Sequence, residues 1–280
     1  MSLPATLTLP YGTQHERQHV LLSLPPGDAR APLLVFIHGG AWRSNAASDH
    51  ARLAAHLATH GVAVALVEYR LSTSDGGAVR HPQHAQDASD ALSFLLRSGD
   101  EAWRSRIDPR NTVVAGHSVG AHMCLSMALC AEAASVGKGE VERMPGLPER
   151  SQIKAWVGIA GIYDIVAMLR AYPSYVSFVE QAFGAPPPDC DLGIERYAPA
   201  SLPAWPVPPQ PPRVYLAHSL DDELLDVQGS KAAQTELQRK GCSVQTYWTL
   251  TGTHDESLQT EAFWGYLLAI VRSETDVSQH

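Results

Sequence analysis

The stretch Val113-Val-Ala-Gly-His-Ser-Val-Gly-Ala-His122 decides the fold. Apolar and small residues run into Gly116-His-Ser-Val-Gly120, and an Ala/Leu/Met-rich run of helical pattern follows. Strand, tight turn and helix form the context in which a G-x-S-x-G motif lifts its serine hydroxyl above a sheet edge as a nucleophile. Glycines at the two ends let strand and helix approach with no Cβ between them. The helix that starts at the turn aims its N-terminal N–H groups at the same point, where they favour negative charge. Ser118 is the candidate nucleophile. The N–H of Val119 is the first candidate donor to an oxyanion.

Upstream, Leu33-Leu-Val-Phe-Ile37 reads as a buried strand and ends in His38-Gly-Gly-Ala-Trp42. A glycine pair after a strand also suits an ordinary turn. Its place ahead of the elbow favours a loop whose uncommitted N–H groups, on Gly39, Gly40 and Ala41, complete an oxyanion hole. His38 and Trp42 bracket the glycines and are expected to contact substrate, with Trp42 either core or an apolar wall.

Downstream, Arg213-Val-Tyr-Leu-Ala-His218 predicts a strand followed by Ser219-Leu-Asp-Asp-Glu-Leu-Leu225, and Val244-Gln-Thr-Tyr-Trp248 a strand followed by a loop carrying His254. A serine hydroxyl needs a base within hydrogen-bond reach, and the base needs a third group to fix its tautomer. His254, in the short polar loop Thr251-Gly-Thr-His-Asp255, is the expected base. His15, His19, His50, His56 and His60 sit in no motif, and His117, beside the serine, should point elsewhere. The acid is Asp222 or Asp221. The form small-x-x-Asp-x-x-apolar, with Leu225 as the apolar member, favours Asp222, and Asp226 suits the start of the next helix. Serine, then acid, then histidine is the chain order of an α/β-hydrolase fold.

The rest of the chain agrees with that class. Its 280 residues suit one large α/β domain. Apolar strand-like runs at 18–24, 33–37, 62–67, 112–116, 154–159, 213–218 and 244–249 alternate with helical patterns at 47–60, 82–97, 118–134, 228–240 and 258–272. That alternation predicts a mostly parallel sheet with helices on both faces. Residues 135–152 read as a surface insertion and 165–212 as a small cap, with Ile165–Phe183 shaping access and the prolines of 203–212 a stiff lead-in to the next strand. Ser273–His280 reads as a frayed tail. A net charge of −8 argues against nucleic acid and anionic membranes as partners. A small-molecule substrate is expected, and a homodimer is left open. The four cysteines show no CxxC spacing and are read as reduced thiols. With neither a basic, apolar leader nor a membrane-length apolar run, the expected location is the cytoplasm. No H-E-x-x-H, zinc-type Cys/His spacing, G-x-G-x-x-G or P-loop occurs, so neither metal nor cofactor is expected.

His38-Gly-Gly-Ala-Trp42 together with Gly116-His-Ser-Val-Gly-Ala-His122 resembles the kynurenine formamidase (arylformamidase) branch of the α/β hydrolases. Members of that branch carry H-G-G-x-W where hormone-sensitive-lipase-like esterases carry H-G-G-G. The segment Ser219–Leu225 is also similar to this branch. The resemblance implies hydrolysis of N-formyl-L-kynurenine to L-kynurenine and formate in tryptophan catabolism, with Ser118 as nucleophile, Asp222 as acid and His254 as base. It leaves 135–152 unexplained. Two other readings are a carboxylesterase of small acyl esters using the same residues, and a non-catalytic binding protein on the same scaffold. The last would be expected to have lost one of these residues or the loop glycines.

Overall fold

Every residue of β3 (Ala31–Ile37) is buried, and successive side chains enter two different cores: Leu33, Val35 and Ile37 one, Leu34 and Phe36 the other. A strand covered on both faces reads as an unbroken apolar run, and β3 lies inside such a sheet. The computed structural model describes residues 5–74, 79–97, 99, 101–130, 147 and 152–275.

Eight strands form one sheet: β1 (Ala5–Pro10), β2 (His19–Leu24), β3, β4 (Ala63–Val67), β5 (Ile107–His117), β6 (Ile153–Ile159), β7 (Arg213–Ser219) and β8 (Ser243–Leu250), in the order β1-β2-β4-β3-β5-β6-β7-β8. β2 is antiparallel to β1 and β4, and every pairing from β4 to β8 is parallel. α1 (Ala51–Thr59) and α7 (Glu261–Glu274) close the core on one face. α2 (Gln83–Leu96), α3 (Val119–Leu129) and α6 (Val227–Arg239) close it on the other, where α4 (Ile165–Ala171) and α5 (Val176–Phe183) also pack. α3 is buried on every side, which is why its sequence is apolar around its whole circumference. No helix among the described residues is long and apolar enough to cross a membrane.

β1 is not expected from the sequence. Its side chains are almost all exposed, so the apolar pattern of a half-buried strand is absent. β5 begins five residues earlier than expected, because a register shift beside Thr112 admits Asp108-Pro-Arg-Asn111 to the strand. α7 starts at Glu261, where the Thr260 side chain accepts the N–H of Phe263, and the expected start at 258 falls in a preceding 3-10 turn. Ser273 and Glu274 finish α7, and Glu274 accepts from Arg213 at 2.8 Å, so the chain is held here where fraying was expected. Apart from Leu147 and Gln152, the 135–152 segment lies outside the described residues, as do positions 131–134 of the expected helix and 276–280 of the tail.

Candidate active site

The parallel strands β5, β7 and β8 end at the same edge, and the loops that follow them carry Ser118, Asp222 and His254. Ser118 stands between β5 and α3 with φ 55° and ψ −119°, a conformation that L-residues avoid, consistent with a strained turn at a reactive position. Its N–H is held by the carbonyl of Ile159 at 2.9 Å. The turn is this tight because Gly120 lets α3 touch β3. A Cβ on Gly120 would lie 2.2 Å from the carbonyl oxygen of Ile37.

The loop after β3 is strained in the same way. Gly40, Ala41 and Trp42 have φ of 98°, 52° and 59°, the last two costly for residues with a side chain. This left-handed run turns N–H groups away from the chain. Among the described residues, the N–H groups of Gly39, Gly40, Ala41 and Val119 have no protein acceptor. On the other side the Tyr69 hydroxyl donates to the carbonyls of His38 and Gly39, at 3.1 and 3.0 Å, which holds those oxygens away from the cavity. Gly39 is packed against the elbow: a Cβ there would meet Ser118 Cβ at 3.0 Å.

His38 and Trp42, expected to contact substrate, do not line the cavity. The His38 ring is fully buried, stacked on Tyr69 at 4.3 Å with Nδ1 2.8 Å from the Gly39 carbonyl. Trp42 is buried edge-on against His122 and Phe183, at 5.6 and 5.2 Å. Both support the loop from beneath. The positive φ at Trp42 swings its side chain into the core, which the motif alone does not reveal.

His254 is buried, and its Nδ1 lies 2.7 Å from Asp222 Oδ2. Asp222 Oδ1 accepts the N–H groups of Leu224 and Leu225 at 2.9 and 2.8 Å. Burial alone would push the Asp222 carboxyl up. Hydrogen bonds from His218, His254 and the backbone outweigh it and hold the carboxyl well below the usual range, so the group is an anion. Asp221 is exposed and accepts the N–H of Gly252 at 3.3 Å. Asp226 caps α6 by accepting from Gln228 at 2.7 Å. His218, whose Nε2 sits 3.1 Å from Asp222 Oδ2, is not marked by the sequence, where it stands as the last position of an apolar strand pattern. His117, expected to point away, instead packs its ring on His254, centroids 4.4 Å apart.

Ser118 and His254 open onto one cavity of about 440 Å³. Its walls include Ala41 and Arg43 from the loop after β3, Tyr175 and Phe178 from the helical segment after β6, and Asp255. That segment is fastened to the loop carrying Asp222: the Tyr175 hydroxyl donates to the Leu224 carbonyl at 2.9 Å, and the Tyr172 hydroxyl accepts the N–H of Asp226 at 3.0 Å. A second cavity of about 320 Å³ shares Ile162 and Leu225 as a partition, and among the described residues its walls contain neither serine, cysteine nor histidine. Donor atoms of His117, His254 and Asp255 come within 4.8 Å of one another. With His254 Nδ1 committed to Asp222, a cation there would occupy Nε2, so holding one is incompatible with His254 acting as a base.

A serine on a strained strand-to-helix elbow, over a mostly parallel sheet and beside a hydrogen-bonded histidine and carboxylate, defines an α/β hydrolase. Within that class the family model described as BD-FAE matches residues 22–237, and the chain belongs to that family. A kynurenine formamidase of Meyerozyma guilliermondii is 29% identical over 254 residues, covering 86% of this chain and 87% of the relative. One from Scheffersomyces stipitis is 27% identical over 260 residues, covering 84% and 88%. These relatives agree with the resemblance read from the loop and elbow. A truncated form of a carbohydrate esterase from gut microbiota superposes with a TM-score of 0.76 at 17% identity, over 97% of this chain and 96% of that one. The protein is a hydrolase.

Proposed function

We propose that the protein hydrolyses N-formyl-L-kynurenine to L-kynurenine and formate through Ser118, His254 and Asp222. The observation that carries the reading is the cavity itself. One space joins Ser118 and His254 to the aromatic rings of Tyr175 and Phe178 and to two opposite charges, Arg43 and Asp255. An aryl formamide with a zwitterionic tail asks for those three features together: a nucleophile, an aromatic wall and a cation–anion pair. The kynurenine formamidase relatives support the same substrate.

In this mechanism His254 takes the Ser118 proton as the oxygen attacks the formyl carbon. The N–H groups of Val119, Gly40 and Ala41 stabilise the oxyanion, each worth on the order of 10²–10³ in turnover. Collapse breaks the C–N bond, and His254 passes its proton to the departing aryl amine. Water, deprotonated by His254, then attacks the formyl-Ser118 ester and releases formate. Asp222 fixes the His254 tautomer with Nδ1 protonated and stabilises the imidazolium. The four cysteines, with no CxxC spacing, support a cytoplasmic site of action as part of this reading.

The second reading is a carboxylesterase of small acyl esters, favoured by the superposition on a carbohydrate esterase. Measuring kcat/KM for N-formyl-L-kynurenine and p-nitrophenyl butyrate side by side separates the two. Faster turnover of the formamide supports our reading, and faster turnover of the ester replaces it with the esterase.

A further inference from the structure

We infer that His218 is a positioning residue that fixes Oδ2 of Asp222 for His254. This rests on the reading of Asp222 and His254 as acid and base. The Asp222 side chain is fully buried, and a carboxylate offers about four acceptor sites. All four are filled. Oδ1 takes two backbone N–H groups, from Leu224 and Leu225, and Oδ2 takes two imidazoles, His254 at 2.7 Å and His218 at 3.1 Å. The two oxygens are therefore held differently. Oδ1 is fixed by backbone, while among the described residues Oδ2 has only His218 besides the residue it serves.

The His218 ring has a determined tautomer. Its Nε2 is within reach of two oxygens that cannot donate, Asp222 Oδ2 and the Leu225 carbonyl at 2.9 Å, so Nε2 carries the proton. Nδ1 lies 2.7 Å from the Ser230 hydroxyl, which donates to it. Ser230 donates to His218, and the one Nε2 proton of His218 is shared between the Leu225 carbonyl at 2.9 Å and Asp222 Oδ2 at 3.1 Å. His218 is the penultimate residue of β7 and Ser230 lies in the first turn of α6, so two regular elements hold a carboxylate that itself sits on a loop. During turnover His254 becomes an imidazolium and its attraction for Oδ2 rises. A second donor, present before and after, keeps the oxygen from following the proton.

The test uses His218→Phe, His218→Gln, Ser230→Ala and Asp222→Asn, assayed on p-nitrophenyl acetate so that the identity of the natural substrate does not enter. Glutamine places an N–H donor near the position of Nε2 and phenylalanine does not. His218→Phe should lose about 10- to 100-fold in kcat with KM within about twofold, and His218→Gln should recover most of it. Kept kcat in His218→Phe, or equal loss in the Gln and Phe variants, overturns the role. If His218→Phe does not fold, Ser230→Ala decides: a fall in kcat at unchanged KM supports the role, and unchanged kcat overturns it. Asp222→Asn separates the levels. If it too leaves kcat intact, the assignment of the acid fails and takes this inference with it. If it abolishes activity while His218→Phe does not reduce kcat, only the role of His218 fails.

Discussion

Asp222 Oδ2 and His254 Nδ1 meet at 2.7 Å across 32 residues of chain, while Asp221, the adjacent carboxylate, turns to the N–H of Gly252. The two aspartates are thus separated by direction. Asp222 lies inside with the histidine, and Asp221 lies outside, holding the loop that carries it. Asp222→Asn should lower kcat by about 10³–10⁴, because the amide stabilises the wrong imidazole tautomer. Asp221→Asn should keep activity within severalfold. Steady-state kinetics on both variants check this, and comparable losses would reverse the assignment.

Arg43 and Asp255 give a charge test of the substrate reading. Arg43→Ala should raise KM for N-formyl-L-kynurenine about tenfold or more, the scale of one lost charge-assisted contact, and leave KM for a neutral ester unchanged. An equal change for both substrates would mean that Arg43 shapes the loop and does not read the amino-acid end.

His50 makes the fold sensitive to acid. Its ring packs on Phe36 at 4.7 Å, and neither ring nitrogen has a hydrogen-bond partner among the described residues. Burial, with His38 nearby, lowers its pKa to about 4 from an ordinary value of 6.5. The folded state keeps His50 neutral while the unfolded chain protonates it. The stability tied to the neutral ring is therefore present above about pH 6.5 and is lost as pH falls toward about 4. His50→Leu should gain about 1 kcal/mol at neutral pH and more at acid pH. Urea unfolding at neutral pH and near the acid end of that window measures both. A variant no more stable than the parent under acid conditions would refute the linkage.

Gly120 tests the geometry of the elbow. With a Cβ placed 2.2 Å from the Ile37 carbonyl oxygen, Gly120→Ala must push α3 away from β3. It should cost about 3 kcal/mol or more and abolish activity. Chemical unfolding together with an activity assay reads both, and near-native values in both would show that the helix has room to shift.

The strands that build the sheet interior were legible because parallel strands buried on both faces, such as β3 and β4, are apolar throughout. β1 was not, since an edge strand with exposed side chains carries no such mark. Within the site, Ser118, His254 and Asp222 were legible because local turn chemistry places each of them at the end of a strand. His218 was not, because its contact with Asp222 depends on the path of the intervening turn. His38 and Trp42 were misplaced for the opposite reason: the motif names the loop, but its left-handed backbone decides which side chains face inward. Tyr175 and Phe178 reach the cavity only through the tertiary docking of their segment, which local sequence does not encode.

If Ser118 carries the acyl group during hydrolysis of N-formyl-L-kynurenine, a fluorophosphonate titration of that activity, with the label mapped by peptide mass spectrometry, must converge on this one residue. The activity should fall linearly to zero as one equivalent attaches, all of it on the peptide containing Ser118, and Ser118→Ala should take up no label and show no hydrolysis. Formamidase activity that survives full labelling of Ser118, or loss of activity with the label on another residue, would contradict it.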